Sequence, residues 1–124
     1  MMQAAKKKLL IVDDDSMLRD ALVHMLERAG HQCEGAADGD EGLERILDRG
    51  YDLVITDMRM PSMSGIEMIR AVRRALGPNP PFILLSGYHD FEEDELRAAG
   101  ASLVLQKPLR PRTIRESVAS LLAG

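Results

Sequence analysis

Apolar residues along this chain fall into two alternating kinds of run. Residues 8–12 (K-L-L-I-V), 53–55 (L-V-I) and 81–86 (P-F-I-L-L-S) are short, β-rich and bounded by turn residues or acids. Such runs read as strands buried on both faces, although periodicity alone leaves a short helical segment open. Residues 31–36 and 102–106 are weaker strand signals. Between them the spacing changes. Residues 17–29 carry apolar side chains at 17, 18, 21, 22, 25 and 26, the one-face spacing of an amphipathic helix. Residues 38–48 repeat this more faintly through 43, 46 and 47, and residues 65–76 through Ile66, Ile69, Val72 and Leu76. A helix over 91–99 is led by Glu92, Glu93, Asp94 and Glu95, acids that suit the positive end of a helix dipole. The last, over 113–122, turns Ile114, Val118, Leu121 and Leu122 inward.

The punctuation agrees with this division. Asp13-Asp14-Asp15-Ser16 offers side-chain acceptors for the first helix, with Asp15 and Ser16 the expected caps. Gly30, Gly50, Gly77-Pro78 and Gly100 close helices, and Lys107-Pro108 marks a turn. Five strands alternating with five helices predict an α/β fold with parallel strands, right-handed crossovers and helices on both faces of the sheet. No linker, repeat or low-complexity stretch interrupts residues 1–124, so a single domain is expected.

Composition narrows the function classes. At 45% hydrophobic and 29% charged the chain has globular character, and no apolar run approaches the ~18 residues of a membrane span. The lysines near the N-terminus precede an apolar run that stops at Val12 against three acids, unlike a secretory signal, so a cytoplasmic location is expected. Cys33 is the single cysteine, which excludes an intrachain disulfide or a cysteine-based metal site. A net charge of -4 and the absence of tryptophan argue against direct nucleic-acid binding.

The candidate chemistry lies at strand ends. Asp13 and Asp14 end the first strand, Asp57 the third, Ser86 the fourth and Lys107 the fifth. In a parallel sheet these ends share one edge, where open α/β sheets place their ligands. Clustered carboxylates raise one another's pKa unless they share a cation. Hard oxygen donors of this kind suit Mg²⁺, and a lysine and hydroxyl facing it suit a phosphoryl group.

With these residues placed, the sequence resembles the receiver domains of two-component response regulators. The motifs are V-D-D-D at 12–15, D-M-R-M-P at 57–61, Gly65, L-S-G at 85–87 and K-P at 107–108, and their order covers almost the whole chain. The resemblance implies a flavodoxin-like sheet of order 2-1-3-4-5. It makes Asp57 the phosphoacceptor, charged by a sensor histidine kinase or a histidine phosphotransfer protein. It implies Mg²⁺, with Mn²⁺ as an alternative, held by Asp14, Asp57 and the Arg59 backbone carbonyl, with Asp13 acting through water or a hydrogen bond. Lys107 pairs with the phosphoryl group and Ser86 senses it; the Lys107-Pro108 bond is often cis. Met58, Arg59, Gly87 and Tyr88 form or modulate the rim, with Arg59 and Tyr88 expected to affect phosphoryl lifetime. The chain is then a signalling switch, not an enzyme beyond its own phosphotransfer and dephosphorylation, and acts on an output domain or partner.

Two positions depart from the pattern. Val104 stands where most receivers carry Tyr or Phe, and Gly87 where alanine is usual, so the relay from the site is expected to run differently. The methionines at 58, 60, 63 and 68 read as core filling, and His24, His31 and His89 have no ligand spacing. The acids at 92–95, set against Arg110, Arg112 and Arg115, suggest pairing across a homodimer. Three rival functions fit these residues less well. An aspartyl-phosphate hydrolase of the haloacid dehalogenase type needs Thr or Val where Met17 stands. A flavodoxin-like electron carrier needs a neutral phosphate cradle where the three aspartates stand. A receiver-like module that is never phosphorylated has no need of the intact polar set.

Overall fold

The computed structural model describes residues 6–87 and 92–123. Among these, strands β1 (Lys8–Val12), β2 (Gln32–Ala36), β3 (Leu53–Asp57), β4 (Phe82–Ser86) and β5 (Leu103–Gln106) alternate with helices α1 (Ser16–Arg28), α2 (Gly39–Asp48), α3 (Gly65–Leu76), α4 (Glu93–Ala98) and α5 (Pro111–Ala123). The strands pair in parallel in the order β2-β1-β3-β4-β5. This is the doubly wound, flavodoxin-like sheet that the alternation of runs and the family resemblance predict.

Strand alternation divides the core in two. Leu10, Val12, Val54, Leu84 and Val104 face Ile46 of α2, Ile66, Met68, Ile69 and Val72 of α3, and Leu96 of α4. Their sequence neighbours Leu9, Ile11, Leu53, Ile55, Ile83 and Leu85 face Leu22 and Leu26 of α1 and Ile114 and Val118 of α5. Because both faces are covered, every residue of β3 and β4 is buried, and the sequences read as continuous apolar runs. β2 lies at the edge and is mostly half-buried, which explains its weaker signal. Met58 and Met68 are buried, and Met60 and Met63 pack against the first cluster, so the methionines do fill core space.

Three residues assigned to inward faces are exposed: Met17 at 82%, Leu47 at 48% and Leu76 at 48%. At 3.6 residues per turn Met17 points roughly 140° from Leu22 and about 180° from Leu26, so it lies off the stripe those residues define. Leu47 is turned about 100° from Ile46 on α2, and Leu76 is the last residue of α3. The Asp15 side chain caps α1, accepting from the amides of Met17 and Leu18 at 3.0 and 3.2 Å. Ser16, expected to share that role, is instead the first helical residue. The last helix opens at Pro111, two residues before the expected start at 113, and Arg110 precedes it. The fourth helix spans six residues, and Phe91, its expected first residue, lies outside the described residues.

Candidate functional site

β1 and β3 are adjacent and parallel, so their carboxyl ends emerge side by side. Asp13 follows β1 directly, and its amide donates to the Ala36 carbonyl of β2 at 3.1 Å. Its side chain is 1% exposed. Oδ1 accepts from the Asp15 amide at 2.9 Å, whereas Oδ2 is buried without a hydrogen-bond partner. Asp57 closes β3 and is also buried. Asp14 is exposed at the mouth. One carboxylate oxygen from each of Asp13, Asp14 and Asp57 lies within 4.8 Å of the other two.

Lys107 reaches this cluster from the end of β5, its Nζ standing 2.7 Å from Oδ1 of Asp57. The turn that delivers it is tied to β4: the Lys107 amide donates to the Ser86 carbonyl at 2.9 Å, and the Lys107-Pro108 bond is cis. Ser86 is buried at the end of β4, with Oγ donating to the Gly87 carbonyl at 3.1 Å. Thr56 Oγ1 donates to the Asp57 carbonyl at 3.0 Å, and the Met58 amide donates to the Leu85 carbonyl at 2.9 Å. Gly65 starts α3 against this backbone. A Cβ there would collide with the Asp57 carbonyl and stand 2.9 Å from a Leu84 methyl, so only glycine permits the approach.

The electrostatics follow from burial. The Asp13 carboxyl is pushed up from 3.8 to about 6, first by loss of water and then by the Asp57 and Asp14 charges, against the opposing Asp15 amide and Lys107. A buried carboxyl with one oxygen lacking a donor, clustered with two further carboxylates, is a costly arrangement for a protein that binds nothing there. The donor set fits a hard divalent cation, which would satisfy that oxygen and offset the repulsion.

The structure thus brings Asp13, Asp14, Asp57 and Lys107 into one cluster and sets Ser86 at the next strand end. Arg59 is exposed just beyond it, Gly87 is half-buried, and the Met58 side chain is buried beneath. Tyr88 and His89 lie outside the described residues. Val104 is 8% exposed and lines a cleft of about 420 Å³ with Glu93, Pro108, Arg110 and Ile114. Sequence reasoning missed Arg19, whose Nη1 donates to the Asp13 carbonyl at 2.7 Å. The signal available was a cation in the first turns of α1, where the helix dipole disfavours one and another partner must compensate.

Residues 9–119 match the family model of the response regulator receiver domain. The chain belongs to that family. The receiver is 33% identical to the transcriptional regulatory protein ResD of Bacillus subtilis over 122 residues, covering 97% of this chain and 50% of that protein. It spans about half the length of the curated relatives it matches first. Among solved structures, a CheY-like receiver domain protein of Methanospirillum hungatei superposes with a TM-score of 0.89 at 32% identity, covering 96% of this chain and 95% of that one. TrrA of Thermotoga maritima, solved in complex with Mg²⁺-BeF, gives a TM-score of 0.84 at 31% identity, covering 93% and 98%. Receiver domains are the signalling switches of two-component systems rather than conventional enzymes. No helix among the described residues is long and apolar enough to cross a membrane.

Proposed function

We propose that Asp57 is the phosphoacceptor of this receiver, taking a phosphoryl group from a phosphohistidine on a sensor histidine kinase or a histidine phosphotransfer protein. The observation that carries this reading is a buried strand-end carboxylate with a lysine ammonium at 2.7 Å and two further carboxylates within 4.8 Å. A carboxylate oxygen of Asp57 attacks phosphorus in line; the new P–O bond forms as the P–N bond to histidine breaks, and the histidine leaves with its electron pair. Lys107 offsets charge on the transferred oxygens, and the Ser86 hydroxyl turns from the Gly87 carbonyl to donate to one of them. Asp13, Asp14, Asp57 and the Arg59 carbonyl would hold Mg²⁺, with Mn²⁺ as the alternative. Bound there, the cation supplies Lewis-acid stabilisation of phosphoryl charge. Water later cleaves the acyl phosphate and returns Asp57, with Met58, Arg59, Gly87 and Tyr88 setting its access.

The added charge, about -1.5 to -2 by analogy with other phosphoresidues, biases a two-state surface around β4, α4 and β5. At position 104 a buried valine replaces the usual ring, so the signal runs through the β4 end and the packing of Val104. The output is a further domain or a separate protein, and the receiver itself contacts no nucleic acid or membrane; its place is cytoplasmic. Homodimer pairing of the acids at 92–95 with Arg110, Arg112 and Arg115 competes with ion pairs inside the helices, Glu93–Arg97 at 3.1 Å and Arg112–Glu116 at 3.2 Å. Incubation with acetyl phosphate and Mg²⁺, followed by intact-mass measurement, tests the assignment. The parent gains one phosphoryl group and Asp57→Asn none; no gain on the parent, or equal gain on both, overturns it.

A further inference from the structure

The loop that joins β3 to α3, residues 58–64, is held at two places. At its base the Met58 amide donates to the Leu85 carbonyl at 2.9 Å, and the Gly65 amide donates back to the Met58 carbonyl at 2.8 Å. Its far side makes a γ-turn: the Met63 amide donates to the Pro61 carbonyl at 2.7 Å around Ser62, whose φ is 63°. Ser62 is the single non-glycine residue with positive φ among the described residues. A γ-turn of this hand is rare and strained, and serine has no side-chain advantage there comparable to that of glycine. Something else has to favour it.

That partner is Asp40, in the first turn of α2. Ser62 Oγ donates to Asp40 Oδ2 at 2.6 Å, a charge-assisted bond between residues 22 apart in sequence. The two segments are close enough that a Cβ on Gly39 would stand 2.7 Å from the Met63 carbonyl oxygen. Met60 and Met63 root the loop in the core cluster that contains Ile46 of α2. The stretch from Arg59 to Pro61 therefore runs between the strand end and this outer contact.

We infer that the Asp40–Ser62 hydrogen bond is a clasp that positions the β3–α3 loop, and with it the Arg59 carbonyl, for the divalent cation. The inference rests on the reading of the cation site given above. Asp40 and Ser62 touch neither phosphoryl group nor cation, so both are positioning residues. The clasp also makes α2 part of the site's support, since the helix reaches the loop through Asp40 and Gly39.

The test is Mg²⁺ titration by calorimetry of the unphosphorylated protein, paired with phosphorylation rates from acetyl phosphate across Mg²⁺ concentrations. Ser62→Ala and Asp40→Ala are expected to weaken Mg²⁺ binding by about 10-fold, the lower end of the usual effect of supporting residues around a metal. The rate at saturating Mg²⁺ stays at the parent value, and the double variant binds no more weakly than either single one. Asp40→Asn, which keeps an acceptor, recovers most of the loss. Ser62→Gly relieves the backbone strain yet lacks the hydroxyl, and is expected to weaken binding as Ser62→Ala does. Parent-like affinity in both serine variants overturns the clasp, even if Asp40→Ala binds weakly, because that pattern reports only the lost charge. Additive losses in the double variant overturn it too. If the parent itself binds no Mg²⁺, the reading of the cation site fails and the clasp fails with it.

Discussion

Replacing Asp13 by asparagine should stabilise the protein in the absence of divalent cations. In the fold this carboxyl is 1% exposed, one of its oxygens has no hydrogen-bond partner, and two other carboxylates stand within 4.8 Å. These conditions raise its pKa from 3.8 to about 6. At about 1.4 kcal/mol per tenfold change in proton affinity, the folded ionised form is penalised by about 3 kcal/mol. The sign follows from linkage. Between pH 4 and 6 the folded state holds a proton that the unfolded state has released, so this group's contribution to stability falls as pH rises through that window. Above it the penalty is complete and constant. Asparagine removes the charge and keeps an acceptor for the Asp15 amide. A gain of about 3 kcal/mol corresponds to roughly 12 °C in melting temperature for a domain of this size. Thermal melts of parent and Asp13→Asn, each with chelator, should coincide near pH 4, diverge by pH 6 and stay parallel to pH 7.5. Mg²⁺ then raises the parent's melting temperature more than the variant's. A melting difference independent of pH, or a variant less stable at pH 7 with chelator present, would refute the reasoning.

Two further substitutions probe the frame around the site. Tyr51 donates from its hydroxyl to Oε1 of Glu34 at 2.7 Å, and that bond, aided by Lys8, Arg49 and Arg45 and opposed by burial, lowers the Glu34 pKa. A depressed carboxyl stabilises the fold above its unfolded value of 4.5 and loses that contribution as pH falls through the folded pKa. Tyr51→Phe should therefore cost about 1 kcal/mol in urea melts at pH 7 and less at pH 4; an equal cost at both would remove Glu34 from the account. Gly65→Ala drives a Cβ into the Asp57 carbonyl and should cost about 1 to 3 kcal/mol as α3 is pushed from β3. Slower phosphoryl uptake should accompany it, and a parent-like melt would show that α3 yields without strain.

Much of the fold and of the site is legible in the chain itself. Residues 53–55 read as a buried strand because a parallel sheet covered on both faces asks for apolar side chains in succession, and β3 runs on through Thr56 to Asp57. Asp15 read as a cap because a helix start must satisfy orphan amides locally. Asp13, Asp14, Asp57, Ser86 and Lys107 could be assigned to one edge since parallel connectivity sends every strand end the same way. That argument needs order and spacing only, and the chain states both.

What tertiary structure alone decided are the quantities set by packing between segments distant in sequence. Met17, Leu47 and Leu76 fit apolar spacings yet are exposed, because spacing marks a stripe without saying where neighbouring layers end. Arg19 on the Asp13 carbonyl and Asp40 on Ser62 are contacts between different elements, and no local rule pairs an arginine with a carbonyl six residues away or a serine with an acid 22 away. The unpartnered oxygen of Asp13 is the sharpest case: the sequence determined that an acid would stand at the end of the first strand. Only the fold decided that one of its oxygens would be buried without a hydrogen-bond partner, in a residue that shares a cluster with two further carboxylates. Desolvation depends on what surrounds a group in space, and the chain by itself does not carry that information.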